Sequence, residues 1–170
     1  VFPDRFQPSR SLKRTLKQSP FHLTLDEHFE AVIAGCQQHR LEQGLGTWIT
    51  QEMITAYTHL FHAGEAHCIA CFNQGRLVGG LYGVSVGNVF CGESMFSIES
   101  NASKIAFCHL VQTCRTLGVN LIDCQMPNPH LLSLGAEVIP RAAFLHLLAD
   151  RDDTPCAWPQ HFGPLPIWDK

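Results

Sequence analysis

Long apolar runs and a high content of charge are both missing from the 170-residue sequence. Charged residues make up 16% of it and hydrophobic residues 45%, which is typical of one globular domain and not of a disordered chain. No apolar stretch approaches the roughly 20 residues that a transmembrane helix needs, and no basic-plus-apolar leader opens the sequence. These absences predict a cytoplasmic protein that does not contact a membrane.

The eight cysteines lack the spacing of a disulfide-rich scaffold. Cys68 and Cys71 form a C-x-x-C motif, but on a predicted strand their side chains point to opposite faces. A zinc knuckle needs such a pair on a tight turn and further ligands to complete a set of four, and the sequence has no second C-x-x-C. We therefore expect reduced cysteines and no metal site.

Apolar spacing and turn residues predict an order of helices and strands. Thr24 and Glu27 resemble a capping box, and Thr50 and Gly64 suit the two ends of the following helix. The predicted elements are a basic helix over 9–19, helices near 24–36 and 50–63 separated by a loop over 37–46, strands over 66–72, 76–84 and 88–95, a helix over 102–117, a strand over 119–125, a helical turn over 130–134, a short strand near 138–139 and a helix over 141–148. Short connections predict an antiparallel meander, and the 102–117 helix predicts a parallel crossover. The fold class is therefore α+β, with a mixed sheet flanked by helices.

This order of elements resembles the N-acetyltransferase-like (GNAT) fold. In that superfamily a glycine-rich loop before the central helix binds the pyrophosphate of coenzyme A. Here the loop over 97–103 has no glycine and includes Glu99, whose charge would repel a pyrophosphate. We expect a GNAT-like domain over residues 1–149 without the usual acetyl-CoA chemistry, and a proline-rich tail over 150–170 whose aromatic residues pack on the domain.

Two predicted strands carry polar residues inside apolar runs. Glu93 lies in the third strand of the meander. Asp123 and Gln125 share one face of the later strand, and Cys124 points to the opposite face, towards a core. Such polar groups are normally paired or take part in chemistry, because an unpaired carboxylate is costly in an apolar site. The candidate apolar walls of one shared pocket are Trp48, Tyr57, Leu81, Met95 and Ile122.

Ordinary structural roles explain the same residues equally well. Asp123 and Gln125 could close a sheet edge as a polar pair. Glu93 could form an ion pair with Arg76 or Lys104, and the two aromatic residues could belong to the core. Spacing alone leaves both explanations open.

A short basic stretch contrasts with the net charge of −3. Arg10, Lys13, Arg14 and Lys17 lie in one predicted helix, and such a stripe can steer a polyanion to one face of a protein. The alternative is a solvated helix with ordinary basic residues, which composition alone favours.

Seven short motifs occur together in one order along the chain. They are Ser-Arg-Ser-Leu-Lys-Arg-Thr-Leu (9–16), Gly-Thr-Trp-Ile-Thr (46–50), Leu-Val-Gly-Gly-Leu-Tyr-Gly-Val (77–84), Gly-Glu-Ser-Met-Phe-Ser (92–97), Ala-Ser-Lys (102–104), Leu-Ile-Asp-Cys-Gln (121–125) and Leu-Gly-Ala-Glu-Val-Ile-Pro-Arg (134–141). Together they resemble the bacterial leucyl/phenylalanyl-tRNA protein transferases over about residues 2–148.

The resemblance implies an activity. Such an enzyme takes Leu or Phe, and less readily Met, from aminoacyl-tRNA and joins it to the α-amino group of a protein that begins with Arg or Lys. The product is marked for degradation by the N-end rule. The resemblance also implies a GNAT-like fold, no coenzyme A and no other cofactor, since the aminoacyl ester is already activated.

Roles for the site residues follow from the same resemblance. Asp123 binds Gln125, whose carbonyl accepts a hydrogen bond from the attacking amine, and Glu93 holds a cationic group of a substrate. The side-chain slot for Leu or Phe is implied at Leu81, Met95 and Ile122, the site of the terminal adenosine at Trp48 and Tyr57, and the tRNA backbone contact at Arg10, Lys13, Arg14 and Lys17.

Two departures from the family, and two other functions, accompany this hypothesis. The family has an N-terminal segment that this sequence does not show, and the position of Leu81 is often Met in relatives. An N-acetyltransferase that uses acetyl-CoA and a non-catalytic module that binds tRNA or peptide are the alternatives.

Overall fold

The structure, a computed structural model, describes residues 1–149, 157–159 and 162. Within these residues a 3-10 turn at Pro3–Arg5 precedes six α-helices and five strands. The helices are α1 (Arg10–Gln18), α2 (Phe29–Glu42), α3 (Gln51–His62), α4 (Ala102–Thr116), α5 (Pro129–Ser133) and α6 (Arg141–Ala149). The strands are β1 (His22–Leu25), β2 (Ala66–Asn73), β3 (Arg76–Val86), β4 (Val89–Ser97) and β5 (Leu121–Asp123).

The five strands form one sheet in the order β1-β2-β3-β4-β5. The first four are antiparallel neighbours, and β5 lies parallel to β4 after the chain has crossed over through α4. A parallel neighbour requires such a crossover, because the chain must return to the same end of the sheet. The predicted α+β class, mixed sheet and parallel crossover are confirmed.

Local signals explain where two of the helices begin or end. The Thr50 hydroxyl accepts a hydrogen bond from the backbone N–H of Met53 (3.4 Å), which caps the first turn of α3. Gly64 and Gly118 follow α3 and α4 with φ values of +76° and +71°, which glycine adopts without strain. The predicted ends of both helices are confirmed.

Three predictions about other elements are wrong. Thr24 does not begin a helix; it lies buried in β1 opposite Ala70 of β2, and α2 begins only at Phe29. α2 then continues to Glu42 through residues predicted as a loop, and no strand forms at 138–139. Pairing with β2 and burial outweigh the local capping pattern, because strand preference depends on tertiary contacts.

The sheet separates two apolar clusters. The cluster on the α4 side includes Phe90, Phe107 and Ile122, and the cluster on the side of α2 and α3 includes Phe29 and Tyr82. α2 packs directly on the backbone of β3. A Cβ atom on Gly80 would lie 2.8 Å from the carbonyl oxygen of Ile69 and 3.3 Å from Val32, so the packing leaves no room for a side chain there.

The described part of the C-terminal tail packs against the α4 side of the sheet. The indole of Trp158 stacks on the imidazole of His67 with ring centroids 3.9 Å apart, and its Nε1 donates to Ser85 Oγ at 3.2 Å. Phe162 contacts His109 of α4 edge-on, and burial lowers the pKa of His109 to about 4. The other residues predicted in the tail lie outside the described residues.

Candidate active site

The candidate site lies where β4 and β5 separate. The two strands pair over three residues, ending at Cys91 and Asp123, whereas β4 continues to Ser97. On the other side of β4 the register with β3 shifts after Tyr82, so Glu93 has no partner across the sheet. Such a bulge bends a strand and redirects a side chain. The result is a gap beside the second half of β4.

A cavity of about 440 Å³, here called the splay cavity, opens in this gap. Its apolar walls come from the sheet and α4 and include Leu81, Phe90, Met95, Phe107, Leu110 and Ile122. Polar and charged side chains also line it, among them Arg40, Glu93, Gln125, Asn128 and His130. An apolar cavity of this size with a few polar groups is typical of a small-molecule site.

Glu93 is held by an aromatic residue of α3. The Tyr57 hydroxyl donates to Glu93 Oε2 at 2.8 Å, and the Tyr57 ring meets Trp48 edge-on with centroids 6.2 Å apart. Burial, followed by the contact with Glu93, raises the pKa of Tyr57, so the hydroxyl stays protonated at neutral pH and remains a donor. Trp48 is 43% exposed and lines the splay cavity, so its indole is accessible for stacking.

The chain turns sharply at the end of β5. Asp123 Oδ1 accepts a hydrogen bond from the backbone N–H of Gln125 (2.8 Å), and Gln125 has a φ of +58°, which is uncommon outside glycine. The strand therefore ends at Asp123. The prediction that Asp123 and Gln125 share one strand face is wrong, because alternation stops before Gln125. The carboxylate instead fixes the backbone that presents the Gln125 side chain.

A second cavity of about 390 Å³, here called the edge cavity, adjoins the splay cavity. Ile122, Cys124 and Gln125 line both cavities. Cys124 is half-buried and packs against the α4-side cluster, so the prediction that it belongs to the core is confirmed, although the strand ends before it. Burial raises the pKa of the Cys124 thiol, which makes it a poor nucleophile. The charged residues that line the edge cavity are Asp123, Glu137 and Arg141.

Most of the predicted site residues meet at these two cavities. The splay cavity is lined by Trp48, Leu81, Glu93, Met95, Ile122 and Gln125. Asp123 lines the edge cavity, and Tyr57 reaches the site through its hydrogen bond to Glu93. Glu93 of β4 and Gln125 after β5 therefore line one cavity, whereas Asp123 lines the adjoining one.

The predicted basic stripe lies on one helix away from these cavities. Arg10, Lys13, Arg14 and Lys17 recur along α1 at spacings of three and four residues, which places them along one side of the helix. Leu12 is buried in the α4-side cluster and anchors the helix to the body. Lys13 is half-buried, whereas the other three basic residues are exposed.

The described body of the protein corresponds to one known family. The sequence model of the family described as leucyl/phenylalanyl-tRNA protein transferase matches residues 1–149. The chain belongs to this transferase family. The family that the motifs predicted is therefore confirmed.

Curated proteins named leucyl/phenylalanyl-tRNA protein transferase are about half identical to this chain. One from Desulfatibacillum aliphaticivorans is 51% identical over 148 residues, which cover 87% of this chain and 64% of that protein. One from Stutzerimonas stutzeri (strain A1501) is 48% identical over 157 residues, which cover 92% of this chain and 69% of that protein. The chain thus spans about two thirds of the length of the transferases it matches.

Solved acetyltransferase structures share the fold at low identity. An aminoglycoside acetyltransferase from an uncultured soil metagenomic sample, in complex with sisomicin, has a TM-score of 0.55 at 8% identity and covers 72% of this chain and 95% of its own. An acetyltransferase from Trypanosoma brucei has a TM-score of 0.52 at 13% identity, and the match covers 71% of this chain and 95% of that one. The GNAT-like fold of this member of the transferase family is confirmed.

The loop before α4 differs from a pyrophosphate-binding loop. Ser97 Oγ accepts a hydrogen bond from the backbone N–H of Ser103 at 3.2 Å, so an amide at the start of α4 already has a partner. Glu99 accepts from Arg76 at 3.3 Å. Arg76 therefore pairs with Glu99, whereas the bonded partner of Glu93 is Tyr57.

Sequence reasoning missed Phe90, Phe107, Leu110 and His130 in the cavity wall. α4 carries buried residues around most of its circumference, so more than one apolar stripe of this helix faces the body of the protein. A second stripe through Phe107 and Leu110, three residues apart, was the available signal. His130 carried no comparable signal. Among the residues that the structure describes, no group of three or more His, Cys, Asp or Glu side chains could hold a metal ion, and no helix is long and apolar enough to cross a membrane.

Proposed function

We propose that the protein transfers Leu or Phe, and less readily Met, from aminoacyl-tRNA to the α-amino group of proteins that begin with Arg or Lys. The splay cavity carries this proposal, because it joins an apolar slot to Glu93 and Gln125. Membership of the transferase family supports the same donor and reaction. The added residue would mark the acceptor for degradation by the N-end rule in the cytoplasm, where charged tRNA is available.

The walls of the slot support selection of side chains that are unbranched at Cβ. Leu81 lies opposite Met95 in the β3–β4 register, and Ile122 of β5 lines the same cavity. A β-branched Ile or Val would place an extra carbon beside the ester and crowd this slot. A misfit of this size is worth about 1–3 kcal/mol. Leu and Met have similar volumes, so Leu81 is compatible with the slot.

The chemistry needs orientation more than a nucleophile. The aminoacyl ester is already activated, so the main contribution of the protein is to hold the amine against the ester carbon. The Gln125 carbonyl would accept a hydrogen bond from the attacking amine, and the Asp123 carboxylate fixes the Gln125 backbone. Glu93, oriented by Tyr57, offers negative charge to a cationic group of a substrate. No cofactor is required by this scheme.

Contacts with the tRNA would come from two regions. Trp48 is exposed beside the splay cavity and suits stacking with the terminal adenosine. The stripe of Arg10, Lys13, Arg14 and Lys17 on α1 suits contact with backbone phosphates.

The edge cavity suits the acceptor. Asp123 and Glu137 bring carboxylates to it, which suits the cationic side chain of an N-terminal Arg or Lys. Glu137 also pairs with Arg5 at 3.6 Å, and Arg141 lines the same cavity. Among the residues that the structure describes, Asp123 is therefore the carboxylate there without a basic side-chain partner. Gln125 lines both cavities, so it would stand between the acceptor amine and the donor ester.

A direct transfer assay tests the proposal. Leu-tRNA is incubated with the protein and a peptide that begins with Arg, and mass spectrometry is expected to show one added Leu. The matched controls are the same peptide with an acetylated N-terminus, the same peptide beginning with Ala, and Ile-tRNA as donor, each of which should give about tenfold less product or none.

Three outcomes would contradict the proposal. Binding of Leu-tRNA without transfer would indicate a non-catalytic module. Binding of acetyl-CoA in a calorimeter, with acetylation of the peptide, would indicate an N-acetyltransferase. Equal transfer to the peptides beginning with Arg and Ala would reject the assigned acceptor.

A further inference from the structure

The proposed reaction requires proton transfers that a glutamine cannot perform. The acceptor arrives as an ammonium ion with a pKa of about 8, and it must lose one proton to water before it can attack. It loses a second proton as the new C–N bond forms, and the departing ribose oxygen must gain one. A neutral amide oxygen such as that of Gln125 accepts hydrogen bonds but is too weak a base to hold a proton.

An imidazole lines the cavity in which these events would occur. His130 lies in the wall of the splay cavity together with Glu93 and Gln125, and it is half-buried. Neither carboxylate of the site is free of structural contacts, since Glu93 accepts from Tyr57 and Asp123 accepts from the backbone of Gln125. His130 is therefore the better placed proton acceptor among the residues that line this cavity.

The backbone of His130 is held firmly. Asn128 Oδ1 accepts a hydrogen bond from the backbone N–H of Leu131 (2.8 Å), which caps α5. The Ser133 hydroxyl donates to the His130 carbonyl oxygen (2.6 Å), and the Leu134 backbone N–H also donates to it. A catalytic group on such a fixed turn keeps its position when the substrates change.

We propose that His130 is the general base and then the general acid of the transfer. The free amine attacks the ester carbon and forms the C–N bond while its proton passes to the imidazole. The C–O bond of the ester then breaks, its electron pair leaves with the ribose oxygen, and the imidazolium returns the proton to that oxygen. His130 ends the cycle neutral, and Gln125 orients the amine. This inference rests on the proposed function.

The surroundings of His130 favour the neutral form that a base needs. Burial lowers its pKa, and the positive charge of Lys104 on α4 lowers it further. Arg40 of α2 and Glu93 of β4 are the charged side chains that line the same cavity, and their charges are opposite. Because the pKa is lowered, the imidazole is neutral at neutral pH and gains a proton only as the solution becomes acidic. The rate of transfer should therefore fall at acidic pH, where the imidazole is protonated.

The test compares single-turnover transfer of Leu from Leu-tRNA to a peptide that begins with Arg. His130→Ala is expected to slow transfer by about 100-fold or more, with unchanged tRNA affinity and an unchanged melting temperature. His130→Gln, which keeps hydrogen bonding but cannot take a proton, should be similarly slow. Added imidazole should restore part of the rate of His130→Ala. The matched control is His59→Ala on the exposed side of α3, which should behave as wild type.

The pH dependence distinguishes a proton-transfer role from a structural one. The acceptor amine ionises identically in every assay, so the ratio of the wild-type rate to the His130→Ala rate isolates the imidazole. This ratio should fall towards one as the pH is lowered from about 8 to 5. A constant ratio, or a fully active His130→Gln, would overturn the inference. Failure of the wild type itself would refute the proposed function, and this inference with it.

Discussion

At the scale of single residues, the turn that joins Asp123 to Gln125 leads to a prediction. Asp123→Ala removes the acceptor of the Gln125 backbone N–H, whereas Asp123→Asn keeps an oxygen at that position. We expect Asp123→Ala to slow transfer by about 10- to 100-fold, because a loosened turn displaces the Gln125 side chain. Asp123→Asn should retain most of the activity, and neither change should alter tRNA affinity.

The measurement is the single-turnover rate of Leu transfer, with tRNA affinity from filter binding. If the rate of transfer falls by the same large factor in both variants, the negative charge of Asp123 matters and the turn does not. Full activity of Asp123→Ala would show that the turn has no part in the reaction.

Some single residues of the site were predictable from the family resemblance, whereas spacing alone left their roles open. Leu81, Met95 and Ile122 lie within strands and line one cavity, as the resemblance implied. The backbone conformation of Gln125 was not predictable in this way. The left-handed turn at Gln125 depends on the hydrogen bond that its backbone N–H donates to the Asp123 carboxylate, and no glycine marks the position.

At the scale of elements, α1 provides a test of tRNA contact. The double variant Lys13→Gln with Arg14→Gln removes two positive charges while keeping helix propensity close to that of the original residues. We expect weaker tRNA binding. When the logarithm of the association constant is plotted against the logarithm of salt concentration, the slope should be shallower by about one to two units.

Arg76→Gln is the control for this change in charge. Arg76 is exposed and pairs with Glu99 on the loop before α4, so its loss should leave the salt dependence of tRNA binding unchanged. An unaltered slope for the α1 variant would reject α1 as a tRNA contact. An equal decrease for Arg76→Gln would indicate a diffuse charge effect.

Elements with local signals were predictable, and those set by distant contacts were not. α3 and α4 were predicted with nearly the correct ends, because Thr50, Gly64 and Gly118 mark them locally. β1 was missed because its sequence carries the pattern of a helix start. Thr24 joins the sheet only because β2, more than 40 residues later in the chain, offers it a partner.

At the scale of the whole molecule, Trp158 connects the tail to the sheet. Its indole stacks on the buried His67 and meets Phe90 with ring centroids 5.4 Å apart, and Phe90 lines the splay cavity. We expect Trp158→Ala to lower the free energy of unfolding by about 2 kcal/mol, below the roughly 3–5 kcal/mol of a fully buried ring. Urea unfolding measures this change.

Trp48→Ala is the matched control for the loss of an indole. Trp48 is 43% exposed, so its removal should change the free energy of unfolding by less than about 1 kcal/mol. The same variant should nevertheless weaken binding of the terminal adenosine. Equal stability of Trp158→Ala and the wild type would show that the tail does not contribute to the stability of the domain.

The architecture of the whole molecule was predictable to the level of fold class. Three strands with short connections and one crossover helix are compatible with few sheet topologies. These topologies share the mixed sheet that the structure shows. The splay cavity was not predictable in shape, because it arises from the bulge at Glu93 and from the early end of β5.

The outer strands of the sheet are also its two shortest, with four residues in β1 and three in β5. Val1 further exchanges two backbone hydrogen bonds with Ile122 of β5. A strand from a second molecule would therefore find few unpaired backbone groups on the outer edges of β1 and β5, which disfavours edge-to-edge pairing at these two strands. Short outer strands thus protect the sheet from unwanted pairing, while the second half of β4 stays open beside the splay cavity.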